Sequence, residues 1–165
     1  MLKTERQVLT MLRISTKTSV TISIILSVLF FALILAGAFL MPNYVAVSLK
    51  YPAERLNITP SAHYFTVLAL GYAVLAVATA ANVMLLRLLF RVRSEQVFTS
   101  ESISLIRFIS WCVVLLGMVF LVLGFYFFVS YFVAFACIFL GICLRVVKNV
   151  IEQATEIKAE NDFTI

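Results

Sequence analysis

The chain has 165 residues, of which 63% are hydrophobic and 13% are charged, whereas about 25% of the residues in a soluble domain are charged. This composition excludes a water-soluble globule, because the polar residues are too few to cover its surface, and the length predicts one domain over residues 1–165. The net charge of +5 comes from basic residues that flank apolar runs. That pattern favours membrane orientation and contact with lipid headgroups over direct binding of nucleic acid.

Four apolar runs follow one another along the chain. A bilayer core about 30 Å thick needs roughly 20 helical residues. A stretch of 37 residues between Arg107 and Arg145 has no charge, which is too long for one span and favours two helices joined by a tight turn near residues 126–131. The sequence therefore predicts an all-α, integral membrane four-helix bundle, with spans at residues 19–40, 62–86, 105–128 and 131–150.

The first run has a second interpretation. Ala36, Gly37 and Ala38 resemble the small residues at a signal-peptide cleavage site. However, a segment with four basic residues precedes the run, and the run is long enough to span a bilayer. We therefore interpret it as a retained helix. The preceding residues 1–17 mix apolar and basic side chains, which is compatible either with a short interfacial helix or with a frayed, solvated start.

The basic residues predict the orientation. The two termini and the second connection hold 11 of the 13 lysines and arginines, which places both ends in the cytoplasm. The outer loop, residues 42–61, holds all three prolines and is predicted to be irregular or only briefly helical. The cytoplasmic parts are the loop 87–104 and the tail 145–165.

Helix signals mark both cytoplasmic segments. In the loop, Thr99 is predicted to cap the third span, with Glu101 near the positive helix end and Phe98 packing back as a staple. The fourth helix is predicted to continue past the membrane. Its acidic residues are either a solvated face or a docking surface for a basic partner or for the arginines of the second loop; the candidates are Glu152, Glu156, Glu160 and Asp162.

Helices in lipid associate through small residues and buried hydrogen bonds. Asn82 is the strongest polar group within a span, and it needs a partner on a neighbouring helix or in a wet pocket. Small residues at helical spacing predict the seams of the bundle, with an oligomer contact as the alternative. The candidates are Ala69, Ala73, Ala76 and Ala80 in span two, Ser110, Gly117 and Gly124 in span three, and Ala134, Cys137 and Gly141 in span four.

Residues that carry chemistry are sparse. The three cysteines lie within apolar segments and lack CxxC spacing, so we interpret them as packing residues. His63 is the one histidine and has no partner ligands in the sequence that predict a metal site. The sequence predicts no catalytic, metal or cofactor site, and hence no enzyme.

The second half resembles a family of small bacterial four-span membrane proteins of unknown function. The resemblance rests on Phe98, on Arg107, on the run from Arg145 to Val150 and on the ending Glu160-Asn161-Asp162-Phe163-Thr164-Ile165. Members commonly end in an acidic pair followed by Asn-Asp-x-Thr-Ile, and Ala159 here replaces the first acidic residue. Such proteins are often encoded beside a small helix-turn-helix regulator, which implies a membrane partner for gene control or stress response.

These observations favour a non-enzymatic membrane protein that acts through protein partners at its cytoplasmic face. The alternative is a subunit of a small transporter or channel that forms as a homo-oligomer, with Asn82, Thr79 and the serines of span one lining a wet seam. A membrane enzyme acting on lipid is the third hypothesis, and it lacks the clustered His, Asp, Glu or Cys that such chemistry needs.

Overall fold

The computed structural model describes residues 16–48, 60–94 and 99–162. All of the regular structure in these ranges is helical, and each helix is long and apolar enough to cross a bilayer. The prediction of an all-α chain with four membrane spans is therefore confirmed. The helices are α1 (Thr16–Ser48), α2 (Pro60–Arg93), α3 (Ser100–Leu123) and α4 (Val129–Asp162).

The helices pack in the order in which they occur in the chain. α1 packs on α2, α2 on α3 and α3 on α4, each pair antiparallel; within the described ranges the backbones of α1 and α4 do not come close. α3 is the most buried helix, whereas α1 and α4 expose large apolar side chains such as Phe39 and Phe135. Lipid tails are as apolar as these side chains, so the exposed faces are stable in a bilayer.

The bundle has two chemically different ends. At one end lie the last turns of α1, the first turns of α2 and the connection between α3 and α4; we call it the turn end. At the other lie the first turns of α1, the connection between α2 and α3, and the last turns of α4; we call it the charged end. Every charged residue whose side chain is described lies at the charged end.

The prediction that the outer loop begins at Pro42 was wrong. α1 continues through Pro42 to Ser48, and the rest of that loop, residues 49–59, lies outside the described residues. Proline has no N–H to donate to the carbonyl four residues earlier, here Ala38. The Tyr72 hydroxyl of α2 donates to that Ala38 oxygen at 3.3 Å. A neighbouring helix thus satisfies the carbonyl that the proline leaves free, which permits proline within a membrane helix.

The connection between α2 and α3 is shorter than the predicted loop. α2 continues to Arg93, and α3 begins at Ser100. The predicted cap is confirmed: Thr99 has an extended backbone, and its hydroxyl accepts the N–H of Ser102 at 3.3 Å. Glu101 also forms an ion pair with Arg91 of α2. The staple proposed for Phe98 and the helix proposed for residues 1–17, apart from its last two residues, lie outside the described residues.

A turn over residues 124–128 divides the long uncharged stretch, two residues earlier than predicted. Gly124 follows α3 directly, and a Cβ atom there would lie 2.5 Å from the Tyr131 ring of α4. The missing side chain therefore lets the ring of Tyr131 cover the turn, with Phe125 and Phe128 edge-on to it. Beyond the membrane stretch, α4 continues to Asp162, which confirms the predicted helical extension.

Candidate functional site

Asn82 lies in the contact between α2 and α1, and it is 4% exposed. The Ser27 hydroxyl of α1 donates to Asn82 Oδ1 at 2.7 Å, and Asn82 Nδ2 donates to the Ser27 carbonyl oxygen at 3.1 Å. The amide therefore bonds to both the side chain and the backbone of one residue. An amide in hydrocarbon is stable when it is paired in this way, so Asn82 joins two helices at a fixed register.

Two other hydroxyl groups proposed for a wet seam bond within their own helices. Thr79 Oγ1 donates to the Leu75 carbonyl at 2.7 Å, and Ser23 Oγ donates to the Ser19 carbonyl at 3.1 Å. Of the groups proposed to line a wet seam, Ser27 and Asn82 are hydrogen-bonded to each other. The described side chains thus form a two-residue link between helices.

The seam between α1 and α2 uses another face of α2 than the alanine stripe. Gly71 packs against Met41, and Leu75 lies 3.6 Å from the position of a Cβ at Gly37. Gly71, Leu75 and Asn82 share one helix face, and a shift of two residues turns that face by about 200°. The alanine stripe lies on the face reached by that shift. Ala69 and Ala76 of the stripe are exposed, and Ala73 and Ala80 are half-buried.

The seam between α3 and α4 is the most extensive helix contact among the described residues. Ser110 Oγ donates to the Gly141 carbonyl at 2.9 Å, and both residues are buried. A Cβ at Gly117 would lie 2.7 Å from Ile138 Cγ1 and 3.2 Å from the Ala134 carbonyl oxygen. Gly117 and Gly141 therefore lie where the two backbones approach most closely.

The charged end links three helices through ion pairs. Arg91 of α2 pairs with Glu101 of α3, and Arg107 of α3 pairs with Glu152 of α4 at 3.4 Å. Lys148 contacts the same Glu152 carboxylate from one helix turn away. These pairs fix the relative positions of the helix ends just outside the apolar spans.

An arginine and the one tryptophan form a second contact between α3 and α4. The Arg145 guanidinium lies 4.0 Å from the centroid of the Trp111 ring, which is the geometry of a cation–π interaction. Both residues are exposed at the level where the apolar part of α4 ends. An amphipathic ring and a long basic side chain at this level are typical of the boundary between hydrocarbon and headgroups.

The acidic stripe of α4 is partly used within the chain. Arg107 and Lys148 contact Glu152, and Glu156 and Glu160 follow one and two turns further on with exposed side chains. The side chain of Asp162 lies outside the described residues. Arg107, one of the basic residues expected to meet this stripe, is thus in contact with its first member.

Sequence reasoning missed a cleft at the turn end. It has a volume of about 480 Å³ and lies between all four helices, with Met41 and Tyr44 of α1 on one side and Ser130 and Val133 of α4 on the other. His63 lies at this end, where its ring meets Tyr126 edge-on at 4.9 Å between centroids. No sequence signal predicts the cleft, because it exists only where α1 and α4 fail to meet.

A comparison with known protein families finds a family that matches the chain. Residues 9–165 match the family described as "Protein of unknown function (DUF2975)". The chain belongs to this family. The match confirms the resemblance to a family of unknown function, and it extends over the first two spans as well as the second half. No curated protein and no solved structure matches the chain.

Among the described residues of this DUF2975 chain, no three His, Cys, Asp or Glu side chains come together as metal ligands. Cys112 is buried, Cys137 half-buried and Cys143 exposed, and all three are free thiols. Among the described residues of the DUF2975 bundle, some polar groups join helices and others form ion pairs at one end. The arrangement is suited to holding a defined helix array with a charged surface.

Proposed function

We propose that this DUF2975 protein is a non-enzymatic protein of the bacterial cytoplasmic membrane that acts through protein partners at its charged end, in membrane-linked regulation or stress response. The observation that carries the proposal is the distribution of charge. All described charged side chains gather at one end of an otherwise apolar chain, and they come from α2, α3 and α4. The excess of basic residues on that side supports a cytoplasmic location.

The charged end has the properties of a protein-binding surface. Its internal ion pairs hold the ends of α2, α3 and α4 together, while other charges of both signs stay exposed, among them Arg87, Arg93 and Glu156. Complementary charges on a partner steer its approach and select its orientation more than they add affinity. A surface with both signs at fixed positions therefore favours a specific partner over general attraction to anionic surfaces.

The experiment is in-cell crosslinking followed by quantitative recovery of partners. Deletion of residues 146–165 and the double variant Glu156→Gln with Glu160→Gln are expected to lower recovery severalfold, because both remove acidic contacts. Gln153→Ala is the matched control, since Gln153 is an exposed neutral residue on the same helix. Equal recovery from the parent chain and the double variant would contradict a role for the acidic face.

The alternative function is a small transporter or channel subunit. Its support is the alanine face of α2, since Ala69 and Ala76 are exposed in the single chain and offer a second helix a close approach. Asn82 and Thr79 are bonded within the chain, so a polar path would have to form between copies. Liposomes containing the purified protein that pass no ions or small polar solutes would remove this alternative.

A further inference from the structure

The cleft at the turn end is open between two helices that do not touch. α2 and α3 form its floor, and α1 and α4 form its walls. Gly71 lies in the floor, where a larger side chain would displace Met41. The volume of about 480 Å³ falls within the range of about 300–1,000 Å³ that small-molecule sites occupy.

The lining is apolar except at one side. Val67, Leu75, Phe120 and Val133 supply hydrocarbon surface, and the hydroxyl groups come from Tyr44 and Ser130 near the turn end. A bound water needs about two to four polar partners, which the apolar part does not offer. Polar groups at one end and hydrocarbon along the rest match a molecule with one polar head and one apolar chain.

The depth of the cleft indicates a ligand confined to one leaflet. On α2 the lining runs from Val67 to Leu75, and eight residues of helix rise about 12 Å. The hydrocarbon core is about 30 Å thick, so the depth of the cleft is most of the thickness of one leaflet, and the cleft does not extend into the other leaflet. A spanning helix from a second copy would need a groove along the whole core, and it would leave half of its length without contact here.

We propose that the cleft binds a single-chain amphiphile of the fatty-acid type, with its polar head beside the hydroxyls of Tyr44 and Ser130 and its acyl chain along the apolar lining. The surroundings support this occupant. Acyl chains are the solvent at this depth, and the gap between the two walls, α1 and α4, lets them enter from the side. The inference depends on insertion in a membrane and is independent of the partners proposed for the charged end.

The test uses the full chain in phosphatidylcholine nanodiscs with two photoreactive probes. One is palmitic acid with a diazirine on its chain, and the other is phosphatidylcholine with the same group on one acyl chain. Mass spectrometry then maps the labelled peptides. We expect saturable labelling of the walls near Met41, Tyr44 and Val133 by the palmitic acid probe. Competition by unlabelled palmitate would support the proposal, whereas labelling by the phospholipid probe that resists palmitate would assign the cleft to a phospholipid and overturn it.

Two variants of α4 separate the cleft from the general lipid surface. Val133→Trp fills the cleft with a bulky ring and is expected to reduce wall labelling severalfold. Phe135→Trp places the same ring two residues away, at a position that is 75% exposed and outside the cleft, and it should leave wall labelling unchanged. Equal labelling in Val133→Trp, or labelling spread evenly over the exposed faces of all helices, would overturn the proposal.

A second copy of the chain is the competing occupant, and it has its own measurement. Tyr44→Cys places a thiol at the rim of the cleft, and efficient formation of a disulfide-linked dimer there would assign the cleft to another copy and overturn the lipid proposal. We expect the variant to remain monomeric under oxidation. Partner recovery at the charged end should not change in Val133→Trp, so failure of this proposal is distinguishable from failure of the proposed function.

Discussion

The Tyr72 side chain of α2 supplies a hydrogen bond that the backbone of α1 cannot form at Pro42. Pro42 cannot donate to the Ala38 carbonyl, and in hydrocarbon an unpaired carbonyl costs several kcal/mol because no water replaces the lost donor. The Tyr72 hydroxyl, 3.3 Å from that oxygen, supplies the bond. The tyrosine and the proline are therefore coupled, although they lie on different helices.

This coupling predicts a non-additive pair of substitutions. Tyr72→Phe in the parent chain should lower the free energy of unfolding by about 1 kcal/mol, the typical value of a hydrogen bond between membrane helices. In a Pro42→Ala background the restored backbone N–H can reach the Ala38 oxygen, so the same change should cost less. Unfolding in mixed detergent micelles of the parent, both single variants and the double variant measures the difference.

Tyr64→Phe is the control for this cycle. Tyr64 packs edge-on against Phe65 near the same end of α2, and removing its hydroxyl should give the same small change in both backgrounds. An equal cost of Tyr72→Phe with and without Pro42 would show that the hydroxyl does not compensate for the proline.

The sequence predicted that certain residues require a hydrogen-bonding partner, but it did not predict which residue that partner is. That Asn82 requires a hydrogen-bonding partner follows from the cost of an amide in hydrocarbon. That the partner is Ser27 follows from the register of α1 against α2, which no local pattern fixes. The same limit applies to Tyr72, whose role depends on where Pro42 lies on the neighbouring helix.

At the scale of elements, Gly117 sets how close α3 and α4 come. Its missing Cβ would meet a side-chain carbon of Ile138 at 2.7 Å, and backbone atoms of Ala134 and Ile138 at 3.2 and 3.3 Å. A change of rotamer could relieve the contact with the Ile138 side chain, but the α4 backbone atoms can move only with the helix. Any larger residue must therefore push the helices apart, including at the nearby bond from Ser110 to Gly141.

Gly117→Ala should therefore destabilise the bundle by about 1–3 kcal/mol, the usual cost of an overpacked contact. Gly37→Ala is the matched control. It makes the same substitution inside a membrane helix, but the new Cβ would lie at an ordinary 3.6 Å from Leu75. The free energy of unfolding in micelles compares the two. Equal stability of the two variants would mean that α3 and α4 separate without cost.

Spacing alone did not identify the face of α2 that packs on α1. Ala69, Ala73, Ala76 and Ala80 recur at helical intervals, and so do Gly71, Leu75 and Asn82 on the opposite side. In water the more apolar face would be the buried one. In lipid both faces are stable when exposed, so polarity does not distinguish them. Which face of α2 packs depends on how the side chains of α1 fit against it, including Met41 over Gly71.

At the scale of the whole molecule, the four spans were predictable because hydropathy depends on local composition. Each run is long enough to cross the bilayer whatever its neighbours do. The order of packing is a different matter, since it depends on every helix contact at once. The cleft between α1 and α4 follows from that order, and so it appears only in three dimensions.

The last prediction concerns the orientation of the bundle. Lysine and arginine resist transfer across the membrane and are retained on the cytoplasmic side, and each is stabilised by about 1 kcal/mol beside an anionic leaflet. Arg87, Arg91 and Arg93 end α2 at the charged end, and no described charged side chain lies at the turn end. We therefore expect the charged end to face the cytoplasm, which places both chain termini there.

Two exposed serines, one in the first turn of α2 and one directly after its last residue, test the orientation. Ser61→Cys lies at the turn end and should react with a membrane-impermeant maleimide in intact cells. Ser94→Cys lies at the charged end and should react only after the membrane is permeabilised, because the reagent cannot otherwise reach the cytoplasm. The parent chain measures background from its own three cysteines, which lie within the apolar helices. The reverse pattern would invert the bundle and remove the charged end from cytoplasmic partners, whereas equal labelling of both positions in intact cells would contradict a single orientation.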